Sequence, residues 1–443
     1  MFACLTILLF SGFPVAFVLG GTGLIFWLIS VALGIENNLS FFLVVGRIFG
    51  GVVSNLVLVA IPMFIFMGTM LERSGVARDL LYSLEYMTRR LPGGLAISVT
   101  ILGVILAATT GIIGASVVMM TLLAMPVMLE QGYNKSLASG TIAASGTLGI
   151  LIPPSIMLVT MADLLSTSAG TLFLAALVPG LMLATLYLTY ILVITKLNPS
   201  LAPTIKNNAS IPDLTRRQLF NSFLPPVLLI TAVLGSIFGG IATPTEASGV
   251  GAVGSILLAI FKRRLTFQTL KDVMESSALT TTMLFALFIG ATAFSYVFAL
   301  LGGHDLIIQL IESLGAGSWS VLLVLMLTIF LLGFFFDWIE ITLIILPVFA
   351  PVIGSLDFGD HIANSSMTVT WFAILMAVNL QTSFLTPPFG FALFYMKGSA
   401  PAGITLRHIY RGIIPFVILQ LIALAAIIIW PEIVLWLPAK MLE

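Results

Sequence analysis

Charge is what this sequence has least of. Only 8% of its 443 residues are Asp, Glu, Lys or Arg, where an ordinary soluble domain carries about a quarter. The hydrophobic share is 59% and the mean hydropathy is +1.17. No soluble fold of this size could hide that much apolar surface, so the chain reads as an all-α polytopic membrane protein in a lipid bilayer. The few charges cancel, 18 basic against 18 acidic, and no basic stripe points to nucleic acid. Cys4 is the only cysteine, which excludes an intrachain disulfide and a Cys cluster for a metal. His304, His361 and His408 are scattered over polar connections and give a transition metal no ligand set. No Walker A sequence occurs, so the chain does not hydrolyse ATP, and no Ser-His-Asp spacing suggests an enzyme. The start has no basic n-region and no small-residue cleavage site, so a cleavable signal peptide is not expected.

What is present is a series of apolar runs of spanning length: Phe13–Leu33, Val52–Leu71, Thr171–Thr195, Phe223–Gly239, Ala247–Phe261, Ala278–Leu301 and Ile413–Trp430. Met1–Phe10 is apolar but short, and a full span and a start displaced downstream are both open for it. Two further apolar segments, 94–130 and 318–354, are interrupted by ATTGIIGAS and GFFFDWIEIT. Each reads as a re-entrant helical hairpin, which needs burial in protein or a cavity at its tip. The charges test this reading. Lys and Arg gather in 73–90, 196–217, 262–271 and 397–411, whereas 302–318 and 355–366 hold Asp305, Glu312, Asp357 and Asp360 without any. Basic connections stay cytoplasmic. If both hairpins return to their own side, one orientation satisfies every group, and Arg47 is the exception on the outer side.

In that orientation the two hairpins enter from opposite faces. Residues 1–197 and 218–443 are then expected as inverted repeats joined by a polar linker, 198–217. Each would hold scaffold helices, an interfacial arm, a hairpin and a broken helix, 136–165 in the first and 367–396 in the second. The breaks are GTLGILIPPSIML and TSFLTPPFGFALF, with Pro153-Pro154 and Pro387-Pro388 lying 234 residues apart. GFPVAFVLGGTGLIFWL also aligns with ATPTEASGVGAVGSILL, Pro14 over Pro244. VARDLLYSLEYMTRRL and RRLTFQTLKDVMESS are amphipathic and follow a span, so both are expected as in-plane interfacial helices. Inverted repeats with paired broken helices mark a transporter and point to its binding site.

A helix broken at membrane depth exposes N–H groups on one half and C=O groups on the other. The N–H end favours a carboxylate and the C=O end a cation. Na⁺ suits oxygen ligands. The first break supplies Ser145, Thr147 and Ser155, and the second Asn379, Gln381, Thr382, Ser383 and Thr386. The first hairpin tip offers Thr109, Thr110, Gly111, Gly114 and Ser116; the second offers Asp337, Glu340 and Thr342. A carboxylate at membrane depth costs about 2.5–3.5 kcal/mol on insertion scales, so two in four residues suggest a cavity. Plainer readings compete. A Pro-Pro pair can be a packing kink. Ser and Thr often bond only the i−4 carbonyl. Asp337 and Glu340 can simply cap a helix, and Asp163 can end one. GVGAVG at 249–254 fits the dinucleotide fingerprint literally, but no strand precedes it and close helix packing explains it better.

GGIATPTEASGVGAVGS, GFPVAF, IPMFIFMGTMLERSG, GTLGILIPPS and FLTPPFGFALF together resemble the large membrane subunit of the tripartite ATP-independent periplasmic (TRAP) transporters, over essentially the whole chain. The resemblance implies an elevator-type importer, driven by Na⁺, for an organic acid in the bacterial inner membrane. It implies two protein partners, a small membrane subunit on a separate chain and a periplasmic substrate-binding protein, and no cofactor beyond the coupling ion. Carried onto this sequence, it assigns Na⁺ to Thr109, Thr110, Gly111, Ser116, Ser145, Gly146, Thr147, Pro153, Asp337, Thr342, Asn379, Thr382, Ser383 and Pro387. It assigns a small carboxylate solute to Gly114, Ser155, Glu340, Gln381, Thr386 and Phe389. Glu246, in the TPTEA segment, is expected to be structural, with contact to the small subunit as the alternative. The rival functions are a stand-alone sodium–organic anion symporter and a channel.

Overall fold

Helices in this chain end at glycines and short polar turns, and prolines such as Pro126, Pro179 and Pro225-Pro226 lie inside them. The computed structural model describes residues 1–37, 39–110, 113–203, 215–313, 317–362, 367–388 and 390–442, and among these all regular structure is helical. The first half runs α1 (Phe2–Leu9), α2 (Val15–Ala32), α3 (Ser40–Ile48), α4 (Ala60–Arg73), α5 (Val76–Thr88), α6 (Gly94–Thr110), α7 (Ile113–Glu130), α8 (Lys135–Thr147), α9 (Ile156–Leu164) and α10 (Ala169–Leu197). The second runs α11 (Arg216–Phe238), α12 (Pro244–Phe261), α13 (Phe267–Leu300), α14 (Gly303–Ser313), α15 (Ser318–Leu332), α16 (Trp338–Ser355), α17 (Thr368–Leu385), α18 (Phe391–Ser399), α19 (Leu406–Ile429) and α20 (Glu432–Leu442). Nine of the described helices are long and apolar enough to cross a membrane. The fold class is the one read from composition: an all-α, multi-pass bundle.

Two elements differ from expectation. Val52–Leu71 is not one helix. The chain bends by 51° between Ser40–Val53 and Val57–Arg73. Asn55 makes the bend possible, because its Nδ2 donates to Gly51 O at 3.1 Å and its Oδ1 accepts from Val57 N–H at 3.0 Å, taking up backbone groups that a helix would have paired. The second amphipathic stretch is not a separate in-plane helix either. It opens α13, which continues for 34 residues. Nothing between Phe267 and Leu300 stops a helix: the stretch has no proline, and Gly290 alone is not enough. The amphipathic helix that does follow a span in this half is α14.

The TPTEA segment is a helix start. Thr243 N–H donates to Glu246 Oε2 at 2.8 Å, and Glu246 N–H donates to Thr243 Oγ1 at 3.3 Å, closing a capping box ahead of α12. Thr245 Oγ1 then donates to Leu56 O at 3.0 Å and fastens α12 to the turn before α4. Glu246 therefore closes the start of α12, and its side chain stays exposed.

Polar contacts fasten the connections between helices. Asp79 pairs with Lys262 at 3.4 Å and Arg264 at 3.1 Å, joining α5 to the turn between α12 and α13. Lys135 Nζ donates to Gly403 O at 3.1 Å. Asn55 Nδ2 donates to Asp163 Oδ1, and His361 Nε2 donates to Ile428 O at 2.7 Å. The most enclosed helices are α8 and α17, and Trp371, Phe372 and Phe384 of α17 are fully buried. α8 meets α19 backbone to backbone: a Cβ on Gly412 would lie 2.0 Å from Ser136 O. Small residues that let helices approach this closely are a recurrent device of membrane helix packing.

Candidate functional site

The two enclosed helices are also the broken ones. α8 ends at Thr147, and the chain turns through 148–150 and the cis Pro153-Pro154 bond before α9. Ser155 Oγ donates back across the break to Ile150 O at 2.7 Å, and Thr147 Oγ1 donates to Ala144 O at 2.9 Å. Ser145 Oγ donates to Thr100 Oγ1 at 3.2 Å and ties α8 to α6. Gly146 lets α7 lie against the break, since a Cβ there would stand 3.1 Å from Val117 Cα.

The second break repeats these devices. α17 ends at Leu385, followed by Thr386 and the cis Pro387-Pro388 bond, and α18 starts after Gly390. Gly390 has φ +27° and a Cβ there would press on Phe384 O at 2.9 Å, so only glycine fits. Asn379 Nδ2 donates to Met326 O at 2.7 Å and Ser383 Oγ to Phe330 O at 2.5 Å, tying α17 to α15. Thr382 Oγ1 bonds Val378 O and Thr386 Oγ1 bonds Thr382 O, each at 2.8 Å. Ser145 and Asn379, which correspond in the two halves, therefore do the same job: each joins a broken helix to the first helix of its neighbouring pair.

One hydrogen bond joins the two breaks. Gln381 Nε2 donates to Thr147 Oγ1 at 3.3 Å across 234 residues, the spacing of the two Pro-Pro pairs. Gln381 is fully buried, and its Oε1 has no hydrogen-bond partner among the described residues. A buried acceptor left unpaired costs about 1–3 kcal/mol, so this oxygen marks a place where a cation, a donor or water would be held.

The turns of the α6–α7 and α15–α16 pairs carry the remaining expected site residues. Asp337 caps α16, accepting from Trp338 N–H at 2.7 Å, and Asp337 N–H donates to Glu340 Oε2 at 3.2 Å. The capping role weighed for this pair is thus made, and each carboxylate keeps lone pairs for another partner. Thr342 Oγ1 donates to Trp338 O at 2.6 Å. Gly114 packs under the Tyr395 ring, where a Cβ would come to 2.8 Å. The Asp337 and Glu340 carboxylates lie within electrostatic reach of the same phenol. Tyr395 packs α18 against the first tip. Sequence reading missed it, because an aromatic residue in an apolar helix carries no local signal. Ser116 is buried. Gly111 and Phe389 lie outside the described residues, as do the side chains of Thr109 and Thr110. What the two breaks bring together is a buried amide and hydroxyl pair, Gln381 and Thr147, with part-buried Asp337 and Glu340 on the second tip, and none of these side chains is basic.

Residues 2–433 match the model of the tripartite ATP-independent periplasmic transporter family, DctM component. The chain belongs to this family. It is a TRAP transporter large permease subunit, a multi-pass membrane protein and not an enzyme. It is 31% identical over 386 residues to the C4-dicarboxylate TRAP transporter large permease protein DctM of Pseudomonas aeruginosa, covering 86% of each chain. It is 26% identical over 434 residues to the sialic acid TRAP transporter large permease protein SiaM of Vibrio cholerae, covering 97% of this chain and 96% of that one. The solutes named for TRAP permeases thus vary between relatives of similar distance. Among solved structures, the YdaH transporter of Alcanivorax borkumensis superposes with a TM-score of 0.64 at 15% identity, over 90% of this chain and 89% of that one. That likeness concerns the fold alone.

Proposed function

We propose that this TRAP permease imports an organic carboxylate together with Na⁺ across a bacterial inner membrane. A periplasmic binding protein delivers the solute, and a separate small membrane subunit completes the carrier. The observation that carries the reading is the bond from Gln381 to Thr147 between the two breaks, with Gln381 Oε1 left unpaired beside it. Oxygen ligands without a basic group suit a hard monovalent cation. The hydroxyls at both breaks spend their protons on backbone carbonyls, which leaves oxygen lone pairs for the ion. The half-helix N-termini of α9 and α18 offer N–H groups to a carboxylate. The helices carrying the breaks and tips move as one body past the remaining helices, an elevator in which the hairpins re-enter from opposite faces.

The energetics are sufficient. If two Na⁺ accompany a monoanion, each ion falling down a tenfold gradient contributes about 1.4 kcal/mol, and the net charge crossing 100 mV contributes about 2.3 kcal/mol. The sum, about 5 kcal/mol, supports accumulation of several thousandfold. The test is uptake into proteoliposomes of the ligand found by screening the binding protein, with Na⁺, the binding protein and the small subunit omitted in turn. Each omission is expected to abolish concentrative uptake. Full uptake by this chain alone identifies a stand-alone symporter, and uptake without a Na⁺ gradient ends the coupling scheme.

A further inference from the structure

Arg47 is the cation that the charge pattern leaves on the outer side. Its side chain, on α3, is exposed, and its guanidinium carbon lies 5.9 Å from the centre of the Tyr296 ring of α13. No acid pairs with it among the described residues. Arg47 and Tyr296 border a cavity of about 360 Å³. Thr292, Ser295 and His304 add polar groups, and among the described residues no acid lines the space. His304 packs its ring against Phe298 with centroids 5.8 Å apart, while its Nε2 is shut off from solvent and has no hydrogen-bond partner among the described residues.

The cavity is small but within the usual range for a small-molecule site, about 300–1,000 Å³. A cleft carrying one sign of charge between apolar walls concentrates the field and gathers counter-ions. A guanidinium matches a carboxylate geometrically, with two parallel N–H donors. The walls come from two sets of helices. The polar groups stand on α3, α13 and α14, whereas Leu164, Leu343 and Pro347 face them from α9 and α16, which lead to the first break and the second tip.

We propose that this cleft binds a carboxylate of the incoming solute at Arg47, before the solute reaches the breaks. The word solute rests on the importer reading given above; the anion site itself does not. An anionic lipid headgroup offers similar chemistry, and the test separates the two. In a Cys4→Ser background, Ser295→Cys places a thiol on the cavity wall. The chain is held in phosphatidylcholine nanodiscs, and the thiol is reacted with sulfonatoethyl and trimethylammonioethyl methanethiosulfonates. The anionic reagent is expected to gain about tenfold over the cationic one relative to a free thiol. Arg47→Gln is expected to erase the preference and Arg47→Lys to keep most of it. Succinate, lactate or N-acetylneuraminate at millimolar concentration is expected to slow the reaction, except in Arg47→Gln. An unreactive thiol, a preference that survives Arg47→Gln, or protection by none of the three acids overturns the proposal. So does protection that appears only when phosphatidylglycerol is in the disc. The measurement uses neither a gradient nor a partner, so failure of the importer reading in uptake assays leaves it readable.

Discussion

Thr147→Val and Gln381→Leu, singly and together, separate packing from function at the junction of the two breaks. Thr147→Val removes the acceptor of the Gln381 amide at 3.3 Å. Because Gln381 Oε1 is already unpaired and the side chain is fully buried, the variant leaves a primary amide with no partner, a cost of about 1–3 kcal/mol. Gln381→Leu removes the whole amide at similar volume, and Thr147 Oγ1 keeps its bond to Ala144 O. Its stability cost is expected under about 1.5 kcal/mol. The double variant is expected to be as stable as Gln381→Leu alone, which makes the coupling about as large as the cost of Thr147→Val. Transport is expected to follow the opposite order. If these oxygens hold Na⁺ or the solute, every variant loses a ligand, and the double variant loses most. A lost ligand of about 1–3 kcal/mol raises the half-saturating concentration roughly five- to a hundredfold. Unfolding midpoints in detergent and Na⁺ titrations of uptake by the complete reconstituted carrier give the two rankings. Additive stability costs would show that the amide does not bond Thr147. Unchanged Na⁺ and solute half-saturation in the double variant would make the junction a packing contact only.

Two further expectations concern the frame. Gly412→Ala puts a methyl 2.0 Å from Ser136 O and 2.9 Å from Gly140 N, where backbone cannot yield, so it is expected to lower stability by at least about 1–3 kcal/mol. Gly235→Ala in α11, with nothing within 4 Å of its new Cβ, is the neutral control, and equal unfolding midpoints for the two would refute the close α8–α19 contact. For orientation, cysteines at the exposed positions Asp360 and Arg407 are expected to differ in whole cells: an impermeant maleimide reacts at the first and not at the second. Equal labelling would overturn the placement of the basic and acidic connections on opposite faces.

Composition and the sequence by themselves determined the class, the positions of both breaks, and six of the seven runs of spanning length, Val52–Leu71 being the exception. These are local properties. Apolar length sets whether a segment can cross a bilayer, and each helix-breaking Pro-Pro pair stands next to a hydroxyl residue, Ser155 or Thr386, whereas Pro225-Pro226 lies inside α11 without ending it. The motifs that carry the family resemblance lie at such breaks and helix starts, which is why the family was legible. Where local signals were weak, the structure decided. The bend at Asn55 depends on side-chain bonds to Gly51 and Val57, and amphipathicity alone did not show that Phe267–Leu300 is one helix. The oxygen-bearing residues were identified by type, but their partners were not. Ser383 bonding Phe330 O, Tyr395 lying over Gly114, and Gln381 reaching Thr147 are contacts between segments that sequence position leaves far apart. Only the packing of α8 and α17 against each other brings the two breaks together. Once both are buried, each polar atom must find its partner from whichever helix has been packed beside it.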